Sequence, residues 1–203
     1  MVPARSCGMS RAAVQRAVND ALLPLRVKEY LSAFADSGAD SKFRRLLKAD
    51  PARVLAGISG LIDRAAVVTG IPREEVLFAT GFHPGNLAPA RFEAALAELR
   101  AAEFLAGEGF SAVCLVPGSR GKTADITASR GGNTYAFEVR CVTGFKGVAA
   151  ESFFDKEGRI KPAGEKAAAL LAKKYRKKMP QAAVSKKKAG LSHCGLVLVI
   201  DVE

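Results

Sequence analysis

The sequence predicts an all-helical module followed by a three-layer α/β domain, and three observations carry that reading. Apolar residues recur at helical spacing through roughly the first ninety residues. A turn-rich stretch, Phe82-His83-Pro84-Gly85-Asn86, then interrupts the pattern. Beyond it the periodicities read helix, three strands, helix, strand, an order that closes as helices covering a mixed sheet. The module boundary falls at 88/89, giving a helical module over 1–88 and an α/β domain over 89–203.

Within the first module, Ser10 caps a helix that runs to about Leu23, where Pro24 ends or kinks it. A second helix covers Leu25 to Phe34, and a short third one Lys42 to Lys48. Asp50-Pro51 is a strong start signal: an acid at the cap accepts an orphan backbone N–H, and proline fits the first helical position. That helix continues through Val54, Leu55, Ile58, Leu61, Ile62 and Ala65 and stops at Gly70. Pro72 opens another short helix ending near Gly81. Ala66, Gly70, Ile71, Val76 and Ala79 also have the spacing of a helix-turn-helix. Its recognition helix would lead with Glu74 and Glu75, which repel phosphate, so an ordinary helical bundle is the better reading.

In the second part, Arg91 to Gly107 reads as a helix and Ala112 to Val116 as an apolar strand. Pro117 to Gly121 is a loop, Thr123 to Ser129 a strand, Arg130-Gly131-Gly132-Asn133 a hairpin turn and Thr134 to Thr143 its return strand. A basic helix from about Gly164 to Lys178 is stopped by Pro180, and Gly195 to Val202 forms the last strand.

Composition narrows the function classes. Hydrophobic content of 49% with 25% charged residues is that of a folded globular chain. No apolar run is long enough to cross a bilayer and the N-terminus lacks a signal-peptide pattern, so no membrane partner and a cytoplasmic location are expected. The four cysteines form no CxxC pair and the two histidines have no ligand neighbours at useful spacing. Zinc is therefore disfavoured, buried reduced thiols are expected, and any metal would be held by oxygen.

Net charge is +11, and it is concentrated. From Asp155 to Lys188 twelve Lys or Arg face three acids, a local +9. That is the electrostatic footprint of a polyanion binder, although a solvated helix face accounts for the same charges. Lys186-Lys187-Lys188 reads as a flexible phosphate-binding loop without the aromatic residues that base stacking needs.

The hairpin carries the chemistry. If it closes symmetrically about Gly131-Gly132, residues whose numbers sum to 263 are opposed, so Asp125 faces Glu138 on one side of the sheet. Arg140 lies one side-chain step further on the same face. Two opposed carboxylates repel unless a cation lies between them, and this oxygen set suits Mg²⁺ or Mn²⁺. Such a metal lowers the pKa of a bound water and clamps a phosphodiester. The plain alternative is a surface salt bridge in which Arg140 neutralises both acids.

The run Thr123-Ala124-Asp125-Ile126-Thr127-Ala128, followed by Gly132-Asn133-Thr134-Tyr135-Ala136-Phe137-Glu138-Val139-Arg140, resembles the core of the PD-(D/E)XK, or restriction endonuclease-like, nuclease superfamily. The resemblance covers about Arg91 to Glu203, and the family core has the same order of helix, three strands, helix and strand. It implies a Mg²⁺-dependent endonuclease acting on DNA ahead of RNA, and often a homodimer, because two strands need two sites. It makes Asp125 and Glu138 metal ligands, with the Val139 carbonyl as a further ligand and Glu98 on the preceding helix as another; Glu103 competes with Glu98.

One departure matters. The family normally has lysine where this chain has Arg140, and arginine stays protonated, so it can hold phosphate but not act as a base. Lys122, Lys146 and Lys173 are candidates to replace that lysine. The helix bearing Lys173, Lys174, Tyr175, Arg176, Lys177, Lys178 and Gln181 resembles the Lys- and Gln-bearing helix beside the family's active site, and with Lys122 and Lys146 it is the expected nucleic-acid contact. Two rivals stand beside the nuclease: a catalytically inactive nucleic-acid-binding or assembly protein that keeps the fold, and a module that docks on an acidic protein.

Overall fold

The computed structural model describes residues 9–37, 41–117, 124–142 and 165–200. The chain divides into two compact units, Met1–Leu99 and Arg100–Glu203.

Helix boundaries in the first unit follow their caps. The Ser10 hydroxyl accepts from the Ala13 N–H and opens α1 (Arg11–Asp20), Ser41 accepts from Arg44 and opens α3 (Lys42–Ala49), and Asp50 accepts from Arg53 at the head of α4 (Pro51–Thr69). Helix α4 ends at Gly70, whose φ of 68° is left-handed and suits glycine. Between them, α2 (Leu25–Asp36) buries Val27, Tyr30, Leu31 and Phe34 at helical spacing. Tyr30 meets Phe34, Phe82 and Phe92 at ring-centroid distances of 5.8, 4.9 and 4.8 Å, and Phe43 joins Phe34 and Phe92.

The stretch after Pro72 departs from the expected helix. It forms successive turns and a three-residue 3₁₀ helix, Phe78–Thr80. The Glu75 and Val76 N–H groups bond to the Pro72 carbonyl, the next bonds start afresh from the Glu75 carbonyl, and Gly81 at φ 78° closes the segment. Each turn is complete in itself, so no recognition helix forms and the helix-turn-helix spacing has no structural counterpart.

Helix α5 (Pro89–Gly107) carries the division between the units, at Leu99/Arg100 rather than 88/89. Its first half belongs with the helical unit because Phe92 is part of that unit's aromatic core.

The second unit holds a four-stranded mixed sheet in the order β1-β2-β3-β4. Strands β1 (Ser111–Leu115), β2 (Ile126–Arg130) and β3 (Asn133–Val142) are antiparallel neighbours, and β4 (His193–Ile200) runs parallel to β3. Gly131 and Gly132 take φ of 58° and 78°, the conformation a two-residue hairpin turn requires. The register follows: Ile126 pairs with Phe137 and Arg130 with Asn133, keeping the sum of 263 along β2. The order helix, three strands, helix, strand is therefore present.

Helix α6 (Glu165–Lys188) packs on β3 and β4 and differs from expectation at its end. Pro180 lies inside it rather than stopping it. Proline removes one backbone donor there, but the following turn docks Ala182 and Ser185, at 0% and 1% exposure, and that burial holds the helix together past the break. Lys186, Lys187 and Lys188 consequently form the last helical turn, where positive charge complements the helix dipole, instead of a loop. The thiols are less buried than expected: Cys114 is exposed and Cys194 half-buried. Among the described residues, no helix is long and apolar enough to cross a membrane.

Candidate active site

The site is built where β2 begins. Asp125 immediately precedes that strand; its N–H donates to the Phe137 carbonyl at 2.9 Å and its carbonyl accepts from Val116 at 2.9 Å. The first bond falls one residue short of the ladder's register, so the backbone is irregular at this point. The side chain completes the join: Asp125 Oδ2 accepts from the Val139 N–H at 2.7 Å. In an extended strand a residue's N–H and C=O point to the same edge, which puts the Val139 carbonyl on the β2 side as well.

Glu138 is held from the other direction. It lies on the sheet face that α6 covers and is 1% exposed. Gln181 Nε2 donates to its Oε2 at 2.8 Å and Ser185 Oγ to its Oε1 at 2.6 Å. Lys178 Nζ in turn donates to Gln181 Oε1 at 2.6 Å, so positive charge reaches Glu138 through one amide. A buried carboxylate without such donors would be strongly unfavourable; hydrogen bonds to a charged group contribute about 1.5–3 kcal/mol each.

Burial pushes the Asp125 carboxyl up from 3.8 to about 6. The Val139 N–H opposes that shift, the Glu138 charge adds to it, and Lys178 opposes it. The rise is thus chiefly a matter of lost solvation, with the neighbouring acid a smaller contribution. The donor chemistry, two carboxylates and a strand carbonyl beside one of them, is the all-oxygen type that a hard divalent cation takes. Among the described residues no group of three or more His, Cys, Asp or Glu comes together, so this oxygen pair has no histidine or cysteine partner of the kind zinc favours.

The other expected residues distribute as follows. Arg140 lies two residues beyond Glu138 on the same face, is exposed, and makes no ion pair with either acid, so the salt bridge anticipated as the plain alternative is not formed. Glu98 belongs to the helical unit, where it lines a cavity of about 210 Å³ with Thr80, His83, Asn86 and Arg91. Glu103, its competitor, is half-buried on the part of α5 that belongs to the sheet-bearing unit. Lys122 and Lys146 lie outside the described residues. Lys173, Arg176 and Lys177 are exposed on α6 and Lys174 is half-buried.

Gln181 was expected on nucleic acid, and its amide is instead committed to Glu138. Lys178 is likewise drawn inward. Ser185 had no place in the expected site. Its signal was present, since Ser185 follows Gln181 by one helical turn, but reading Pro180 as a stop hid it. Compared with protein-family models, curated proteins and solved structures, the chain matches none of them.

Proposed function

We propose that the second unit is a restriction endonuclease-like domain that hydrolyses phosphodiester bonds of nucleic acid, DNA ahead of RNA, with Mg²⁺ or Mn²⁺ held by Asp125, Glu138 and the Val139 carbonyl. The observation that carries the reading is a pair of carboxylates, one of them fully buried, roofed by a helix with nine Lys or Arg against one acid. Such a metal supplies a polarised phosphoryl oxygen and a water of lowered pKa. Arg140, exposed beside the acids, binds the scissile phosphate and stabilises charge developing on it. Lys178 takes the part of the lysine missing from the hairpin: it is held through Gln181 and acts electrostatically on Asp125. Exposed Lys173, Arg176 and Lys177 hold the flanking backbone.

A second reading has its own observation. Both Glu138 oxygens already accept hydrogen bonds from α6, which is what a structural clamp between helix and sheet would also do. On that reading the domain binds nucleic acid without cutting it.

Incubation with plasmid, branched and single-stranded DNA, with Mg²⁺, Mn²⁺ or EDTA, separates the two. The nuclease cuts only with metal, loses at least about a hundred-fold in rate in Asp125→Ala, and loses a similar factor in Lys178→Met. Metal-independent binding without cutting, unchanged in both variants, establishes the clamp reading instead.

A further inference from the structure

Helix α6 connects two parallel strands, so it runs antiparallel to β3, and its earlier residues lie towards the later residues of that strand. Ser185 and Gln181 sit over Glu138. Alternation along β3 places Ala136, Glu138 and Arg140 on one face. The first two are 0% and 1% exposed beneath the helix, whereas Arg140 is exposed. The helix side opens in the same direction. Tyr175, Lys178, Ala182 and Ser185 share one stripe at spacings of three and four residues. Along it Ser185 and Ala182 are buried, Lys178 is half-buried and Tyr175 is 48% exposed.

Arg140 on the sheet and Lys178 and then Tyr175 on the helix therefore lie towards the same end of the helix–sheet interface, with exposure rising from Glu138 to Arg140 and from Ser185 to Tyr175. Arg140 makes none of the described ion pairs and Lys178 reaches the acids only through Gln181 and at a distance, so the two cations together suit a phosphate. An aromatic ring three residues further out, about 4.5 Å along the helix axis, is close enough for a phosphate and the base of the same nucleotide to be held together. A base can lie flat on that ring only when it is unpaired, because in a duplex its faces are covered by neighbours.

We infer that Tyr175 is a stacking platform for an unpaired base next to the phosphate held by Arg140 and Lys178, which makes single-stranded or frayed nucleic acid the preferred ligand over intact duplex. The inference rests on the nucleic-acid reading above and selects the substrate class within it. The ring belongs to the binding surface and acts by positioning the strand.

The chain suits a direct test, since it has no tryptophan and three tyrosines. Tyr30 is 2% exposed in the helical core and Tyr135 is stacked on His193, which leaves Tyr175 as the solvent-facing reporter. Binding of oligo-dT, of an abasic phosphodiester chain of equal length and of a duplex is measured in EDTA for the wild type, Tyr175→Phe and Tyr175→Ala. The wild type should prefer oligo-dT to the abasic chain by roughly five- to a hundred-fold. Its tyrosine emission should be quenched by oligo-dT and not by the abasic chain. Tyr175→Phe should keep the preference without the quench, and Tyr175→Ala should lose the preference while retaining salt-sensitive binding. If Tyr175→Ala keeps the preference, or the wild type favours duplex, the stacking role is overturned and the nucleic-acid reading stands. If neither oligo-dT, abasic chain nor duplex binds in a salt-sensitive way, both fall together.

Discussion

The two units of this chain solve the problem of a core in different ways. Residues 1–99 carry a net charge of +3 and bury an aromatic cluster around Tyr30, Phe34 and Phe92, with Thr80 and the Tyr30 hydroxyl as buried polar groups. Residues 100–203 carry +8 and bury Glu138 and Ser185 between helix and sheet. The core of the helical unit is made by apolar burial, which is favourable whatever the neighbours' protonation. The sheet-bearing unit places an acid where only a matched set of donors makes it tolerable. A buried carboxyl of this kind costs more to hold than an apolar side chain of similar size, so the contrast lies in what each core demands of its neighbours.

Substitutions can break or sharpen that contrast. The largest effect belongs to the helical core: Phe92→Ala should destabilise by about 3–5 kcal/mol, read from urea unfolding, because it opens a cavity among the rings of Tyr30, Phe43 and Phe82. A loss well under 1 kcal/mol would mean that the aromatic cluster does not hold this unit together. Glu138→Ala comes next, at roughly 2–4 kcal/mol, since it strands the Gln181 amide and the Ser185 hydroxyl in a buried place. Circular dichroism at intermediate urea should show α6 loosening first; simultaneous loss of all helix would deny the clamp its local role.

Asp125 should behave in the opposite sense. Its folded-state pKa of about 6 lies above the ordinary 3.8, so the folded chain holds this proton more tightly than the unfolded chain. The ionised group therefore opposes folding fully above about pH 6, and the opposition fades as pH falls from about 6 to 4. Asp125→Asn keeps an acceptor for the Val139 N–H and should stabilise by up to about 3 kcal/mol at pH 8, with the gain vanishing near pH 4. Mg²⁺ should raise the melting temperature of the wild type at pH 8 and leave Asp125→Asn unmoved. A variant destabilised at pH 8 would show instead that the ionised carboxylate is already matched by protein cations. The smallest effect is a cap: Asp50→Ala should cost about 1 kcal/mol, by thermal unfolding.

Much of this was legible in the residues, and the limits have physical causes. Helix starts at Ser10, Ser41 and Asp50, the stop at Gly70 and the hairpin at Gly131-Gly132 are set by groups within a few residues of one another, and a side-chain oxygen or a missing Cβ acts locally whatever the rest of the chain does. The pairing register from Arg130 opposite Asn133 to Ile126 opposite Phe137 is equally local once the turn is known, whereas Asp125 leaves that register by one residue. The segment after Pro72 was misread because its apolar residues suit either a helix or successive turns, and the choice falls to Gly81 and the packing of Val76 and Leu77.

Helix α6 marks the other limit. Pro180 is a helix breaker by every local rule, and it is overruled because Ala182 and Ser185 gain more from docking on the sheet than one missing N–H removes. With the helix continued, Gln181 and Ser185 close on Glu138 and draw Lys178 inward, contacts spanning more than forty residues. The chain thus encodes its caps, turns and strand alternation within short windows, where steric and hydrogen-bonding preferences act between neighbours. Which lysine serves the carboxylates, and why the glutamate can be buried at all, depend on distant segments meeting, because a buried charge is tolerated only by donors that folding brings from elsewhere.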